Sequence, residues 1–177
     1  DPDVLVVEGS IPVGMPEAAT LGRDADGHHK PLVDWVKELA PEAEYVVAVG
    51  NCAAFGGWPA AENRKRLYDL GKNVTGARGL QYEGHGRQGV FGPGFRSGAG
   101  LPVVNVAGCP PQPDYILLTL ATILNGHTPA LDGKNRPKPF YEPNLHDQCS
   151  LRGEFDRGEF ADDPGDDGCL YEAGCAG

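Results

Sequence analysis

The amino-acid sequence predicts an α/β fold built on a parallel sheet covered by helices. Three valine-rich runs, at 4–7, 45–49 and 103–106, read as strands buried on both faces. Apolar residues at helical spacing lie between and after them, and such strand–helix alternation gives parallel sheets. A polar cluster follows each run directly: Glu8-Gly9-Ser10, Gly50-Asn51-Cys52 and Gly108-Cys109-Pro110-Pro111.

Taken in chain order, Leu32, Val33, Val36 and Leu39 form the apolar stripe of a first helix, which Pro41 stops. A polar helical piece is expected over 60–70, with Arg64, Lys65 and Arg66 toward solvent. Pro113 opens an apolar helix over 114–124, and Gly126 lies just past its end. Between Cys52 and Cys109 lie 56 residues, and their Gly-rich part, 71–100, reads as functional or interfacial. From Asn125 onward the periodicity stops, and 153–177 is rich in Gly and Asp. Such a stretch buries little apolar surface, so it reads either as a disordered tail or as a loop-rich module held by something else, for which metal is the usual substitute for a core. The expected division is an α/β domain over 1–124 and a loop-rich segment over 125–177.

A length of 177 residues suits one ordinary domain plus a small appendage. Fifteen basic against twenty-five acidic residues give a net charge of −10, which argues against a nucleic-acid footprint or an anionic membrane surface. No apolar run approaches the ~18–20 residues of a membrane span. Gly (26) and Pro (16) supply about a quarter of the chain without a period of three, so their place is in loops. The five cysteines are odd in number and irregularly spaced, which fits a disulfide framework poorly.

In an open parallel sheet the strand C-termini line one edge, and ligands bind outside it. Glu8, Cys52 and Cys109 are therefore expected to converge. Glycines before each cysteine let the backbone approach a bulky ligand. Two inert buried cysteines are the alternative, and two thiolates complete only half of a four-ligand site. The second constellation is His146-x-x-Cys149 and Cys169-x5-Cys175, with nineteen residues between the pairs. It offers four soft or borderline donors, suited to zinc or to a four-iron cluster with one imidazole, and spacing does not choose between them. Asp162-Asp163 and Asp166-Asp167 lack a calcium-loop pattern and read as solvated surface. His85 and His28-His29 read as loop residues, and His127 as a partner of a helix C-terminus.

The motifs Val7-Glu8-Gly9-Ser10-Ile11-Pro12, Gly50-Asn51-Cys52-Ala53-Ala54-Phe55-Gly56-Gly57 and Val104-Asn105-Val106-Ala107-Gly108-Cys109-Pro110-Pro111 occur in order. Arg136-Pro137 with Phe140-Tyr141, His146-x-x-Cys149 and Gly168-Cys169-Leu170-Tyr171-Glu172-x-Gly174-Cys175 follow. Over nearly its whole length the chain resembles the small, electron-transferring subunit of nickel–iron hydrogenases.

The resemblance implies a flavodoxin-like parallel sheet with helices on both faces, then a loop-rich iron–sulfur segment. It assigns Cys52 and Cys109 to a proximal 4Fe-4S cluster, whose other two ligands form an N-terminal Cys-x-x-Cys that this sequence lacks. It assigns His146, Cys149, Cys169 and Cys175 to a distal four-iron cluster. The medial-cluster cysteines would lie beyond Gly177, so the chain is expected to be an internal fragment. The nickel–iron centre would sit in a separate large subunit, leaving this chain without catalytic residues. Glu8 could then serve a proton relay, the subunit interface or plain hydrogen bonding. Electrons from dihydrogen oxidation would pass to a quinone, cytochrome, ferredoxin-like or signalling partner, within a dimer or higher oligomer of heterodimers. The Gly-rich insertion, including Gly79-Leu80-Gln81-Tyr82 and Phe95-Arg96-Ser97, resembles the cytosolic uptake and hydrogen-sensing branches. That points to a cytoplasmic setting, with membrane association as its variant. Two rival readings are a hydrogen sensor and a zinc-stapled binding module.

Overall fold

The computed structural model describes residues 2–62 and 75–175. Its elements run β1 (Val4–Glu8), β2 (Ile11–Pro12), β3 (Thr20–Arg23), β4 (His29–Pro31), α1 (Leu32–Leu39), β5 (Tyr45–Val49), α2 (Gly50–Phe55) and α3 (Gly57–Glu62). They continue through β6 (Ala77–Arg78), β7 (Val104–Val106), α4 (Pro113–Leu124), α5 (Lys138–Tyr141), α6 (Leu145–Gln148) and α7 (Arg152–Arg157). The polar helix expected over 60–70 is described only as far as the end of α3, and Arg64, Lys65 and Arg66 lie outside the described residues. No helix among the described residues is long and apolar enough to cross a membrane.

The three expected strands form one parallel sheet in the order β1-β5-β7. Alternation along β5 divides the core. Val46 and Ala48 face a cluster with Val33 and Val36 of α1, whereas Val47 and Val49 face Val104, Val106 and Ile123 of α4. Helices therefore cover both faces. Each buried valine contributes about 1.5–3 kcal/mol through removal from water, so β5 anchors the unit. β1 departs from the expectation of a strand buried on both faces, because Val6 is 46% exposed. Among the described residues β1 is an edge strand, and the apolar cluster under α4 leaves Val6 open.

The Gly-rich stretch over 75–103 is folded around one buried side chain. Gln81 is fully buried, between the equally buried Leu80 and Tyr82. Its Nε2 donates to the carbonyls of Gly92 at 3.2 Å and Phe95 at 3.3 Å. Its Oε1 accepts from Val103 N at 3.1 Å and Asn135 Nδ2 at 3.0 Å. These bonds add to backbone ones within the stretch, such as Val90 N to Gly79 O at 3.0 Å and Phe91 N to Leu80 O at 2.9 Å.

The chain separates into two compact units at Pro137/Lys138, thirteen residues beyond the Leu124 boundary read from periodicity. The intervening stretch belongs to the first unit because Leu131 packs under α4 and Asn105 N donates to Asn135 O at 2.8 Å. The second unit holds three short helices joined by turns, with Ala161 and Cys169 as its buried residues of the core.

Candidate metal centres

In the first unit, the register pairs Glu8 with Val49 and Val49 with Val106, so the three strands end level. The polar clusters after them accordingly meet at one sheet edge. α2 begins directly after β5, which puts Cys52 in its first turn. Asn51 N donates to Gly108 O at 2.8 Å, and Gly108 N donates back to Asn51 Oδ1 at 3.0 Å. This reciprocal pair ties together the residues immediately before Cys52 and Cys109. Cys52 is half-buried and Cys109 exposed, with a cis peptide to Pro110.

The Cys52 thiol lies over bare backbone. A Cβ on Gly57 would stand 2.6 Å from Cys52 Sγ, and the Gly57 φ of +55° already favours glycine. Gly57 therefore packs close against Cys52, and no side chain fits between them. These are the only cysteines of the first unit, so it offers two thiols against the four donors an iron–sulfur cluster takes. Glu8 is exposed at the end of β1, and its carboxylate makes no hydrogen bond to a described residue.

A cavity of about 480 Å³ opens beside Gly57, lined by Asn51, Phe55, His85, Lys134 and Arg136 among others. Its cations are held in place. Lys134 Nζ donates to His85 O at 3.0 Å, and Arg136 Nε and Nη2 reach Asp132 Oδ2 at 2.8 and 2.7 Å. Burial works to raise the Asp132 carboxyl, but hydrogen bonds from Arg136 and Lys134 outweigh it and hold it below its ordinary value. Sequence reasoning missed this cationic wall. Its signal was the Asp132-to-Arg136 spacing, which also marks an ordinary turn.

In the second unit all four expected donors line one cavity. His146, Cys149, Cys169 and Cys175 border a space of about 570 Å³ together with Leu145 and Tyr171. α6 carries His146, and Cys149 caps it, its N–H donating to His146 O at 3.4 Å. Cys169 is buried and fixed by a parallel bridge: its N donates to Glu159 O at 2.9 Å, and its carbonyl accepts from Ala161 N at 3.0 Å. Cys175 N donates to Leu170 O at 3.0 Å. Phe155 of α7 meets Phe160 and Tyr171 edge to face behind them.

Among the described residues, no three of the four bring ligand atoms within 4.8 Å of one another. Thiolates around a single zinc, at about 2.3 Å each, stand only about 3.8 Å apart. The four side chains are thus not gathered around a single ion, and three thiols with one imidazole have the chemistry for zinc and for iron–sulfur ligation alike. The one trio among the described residues that does meet the closer spacing is Asp24, Asp26 and His28, all exposed. There Asp24 Oδ1 accepts the N–H groups of Asp26 and His28 and closes a surface turn. Asp162, Asp163, Asp166 and Asp167 are exposed, as a solvated surface requires.

Comparison with known proteins adds independent findings. A family model described as NADH ubiquinone oxidoreductase, 20 Kd subunit, matches residues 1–123. A second model, for the C-terminal part of the NiFe/NiFeSe hydrogenase small subunit, matches residues 141–177. The F420 non-reducing hydrogenase II small subunit of Methanosarcina mazei is 37% identical over 97% of this chain and 44% of its own length. The Hydrogenase-2 small chain of Escherichia coli is 37% identical over 98% of this chain and 41% of its own. Among solved structures, the actinobacterial-type NiFe-hydrogenase from Ralstonia eutropha H16 superposes with a TM-score of 0.72 at 36% identity. The match covers 98% of this chain and 49% of that one. The NiFeSe hydrogenase of Desulfovibrio vulgaris Hildenborough gives 0.70 at 34% identity, covering 98% and 59%. The chain spans less than half the length of the two curated relatives.

Proposed function

From the membership of this chain in the nickel–iron hydrogenase small-subunit family, we propose that it carries electrons between a catalytic large subunit and an acceptor. One observation carries the reading: His146, Cys149, Cys169 and Cys175 line a single cavity, within the segment matched by the hydrogenase C-terminal model. An iron–sulfur cluster bound there would supply reversible one-electron storage.

The chain's own residues do the rest. Cys149, Cys169 and Cys175 would bind as thiolates, and His146 as a neutral imidazole. The donor set then carries three negative charges in place of four, which favours the reduced state relative to an all-thiolate site. Cys52 and Cys109 would hold one side of a second, proximal site, with Gly57 packed close against the Cys52 thiol. The remaining two donors of that site would come from outside this chain's 177 residues.

Hydrogen-dependent reduction of a redox dye by the complete complex tests the reading. Sustained turnover is expected of an electron-transferring subunit. A complex that binds hydrogen and signals through a partner without sustained dye reduction would point instead to a sensor.

A further inference from the structure

Histidines that bind metal almost always donate their second ring N–H to a carboxylate, a carbonyl or a water, which fixes the ring. At His146 the neighbour seen is an aromatic ring. Among the described residues neither of its ring nitrogens has a hydrogen-bond partner. Its ring contact is Phe155, edge to face, with centroids 4.5 Å apart and planes at 85°. Phe155 is in turn held by Tyr171 at 5.6 Å and 82° and by Phe160 at 5.9 Å and 77°. It stands on α7 at the centre of three aromatic contacts, and it is not itself a metal-binding type. Tyr171 also lines the donor cavity, whereas Phe155 reaches that cavity only through the rings it touches.

We propose that Phe155 is a positioning residue for His146: its ring, through the edge-to-face contact, sets the plane of the imidazole toward the donor cavity. This rests on His146 being a cluster ligand. An aromatic contact of this kind is directional, because the ring edge is positive and the face negative. Replacing it by an aliphatic side chain of similar bulk keeps the burial and removes the orientation.

The test uses the anaerobically purified complete complex and pulsed electron paramagnetic resonance of its reduced clusters, read for imidazole nitrogen coupling. The wild type is expected to show one well-defined coupling. In Phe155→Leu that coupling should spread over several ring orientations, since the lost contact corresponds to roughly fivefold in a rotamer ratio. Phe155→Tyr should restore it. Phe160→Leu serves as the packing control, because Phe160 belongs to the same aromatic group without touching His146. It should keep the wild-type coupling. If Phe155→Leu and Phe160→Leu both keep the coupling, or both lose the cluster, Phe155 acts by packing alone and the proposal is overturned. Loss of the cluster in Phe155→Leu but not in Phe160→Leu supports it. Absence of nitrogen coupling in the wild type would instead remove His146 as a ligand, a separate outcome that sinks both readings.

Discussion

Asn51 and Gly108 exchange two hydrogen bonds, at 2.8 and 3.0 Å, across the ends of the central and edge strands of the parallel sheet. Each precedes a cysteine, so one backbone bond and one bond to the Asn51 side chain set Cys52 and Cys109 relative to each other. Asn51→Ala leaves Gly108 N–H without its acceptor. The expected loss is about 1 kcal/mol in denaturant unfolding, with a lower iron content per protein. Unchanged iron content would show that the tie does not shape the site.

Gly57→Ala places a methyl carbon 2.6 Å from Cys52 Sγ and 2.9 Å from Cys52 Cα. Gly92 has a similar positive φ, +69°, but nothing within 4 Å of its missing Cβ. Both alanine variants should lose about 1 kcal/mol from the left-handed backbone alone. Only Gly57→Ala should lose bound iron as well, because it displaces the Cys52 thiol, and equal iron contents would show that this close approach does not shape the site.

Gln81→Leu strands the N–H of Val103, the amide of Asn135 and the carbonyls that the Gln81 amide now serves. The expected destabilisation is about 3–5 kcal/mol, the range for a broken buried polar network. Urea unfolding measures it. A loss within the scatter of a surface substitution would mean that the Gly-rich stretch is held some other way.

The Asp132 carboxyl is depressed below its ordinary 3.8 in the folded protein. Such a group stabilises the fold above its unfolded value, and that contribution disappears as pH falls through the lower native value. Asp132→Asn should therefore be less stable than wild type at neutral pH. The gap should close progressively below about pH 4. Chemical denaturation of both proteins along a pH series provides the check, and a gap that widened with acid would reverse the sign.

The parallel strands and both long helices were legible because burial on two faces and a 3.6-residue period leave direct marks on sequence. Leu32, Val33 and Val36 with Pro41 marked α1 almost to the residue, and Pro113 marked the start of α4. The edge position of β1 was not legible, since Val6 reads like any buried valine until its neighbours are known. Nor was the role of Gln81, because one buried amide serving distant backbone and side-chain groups has no period. The second-unit donors were legible as a set of four. Their common cavity, and the Phe155 ring behind His146, required the fold.

Metal and sulfide analysis of the anaerobically purified protein tests the central claim most directly. The donor chemistry and the family match of residues 141–177 predict iron with equimolar acid-labile sulfide and no zinc. Zinc without iron or sulfide would contradict it, and would make His146, Cys149, Cys169 and Cys175 a structural staple.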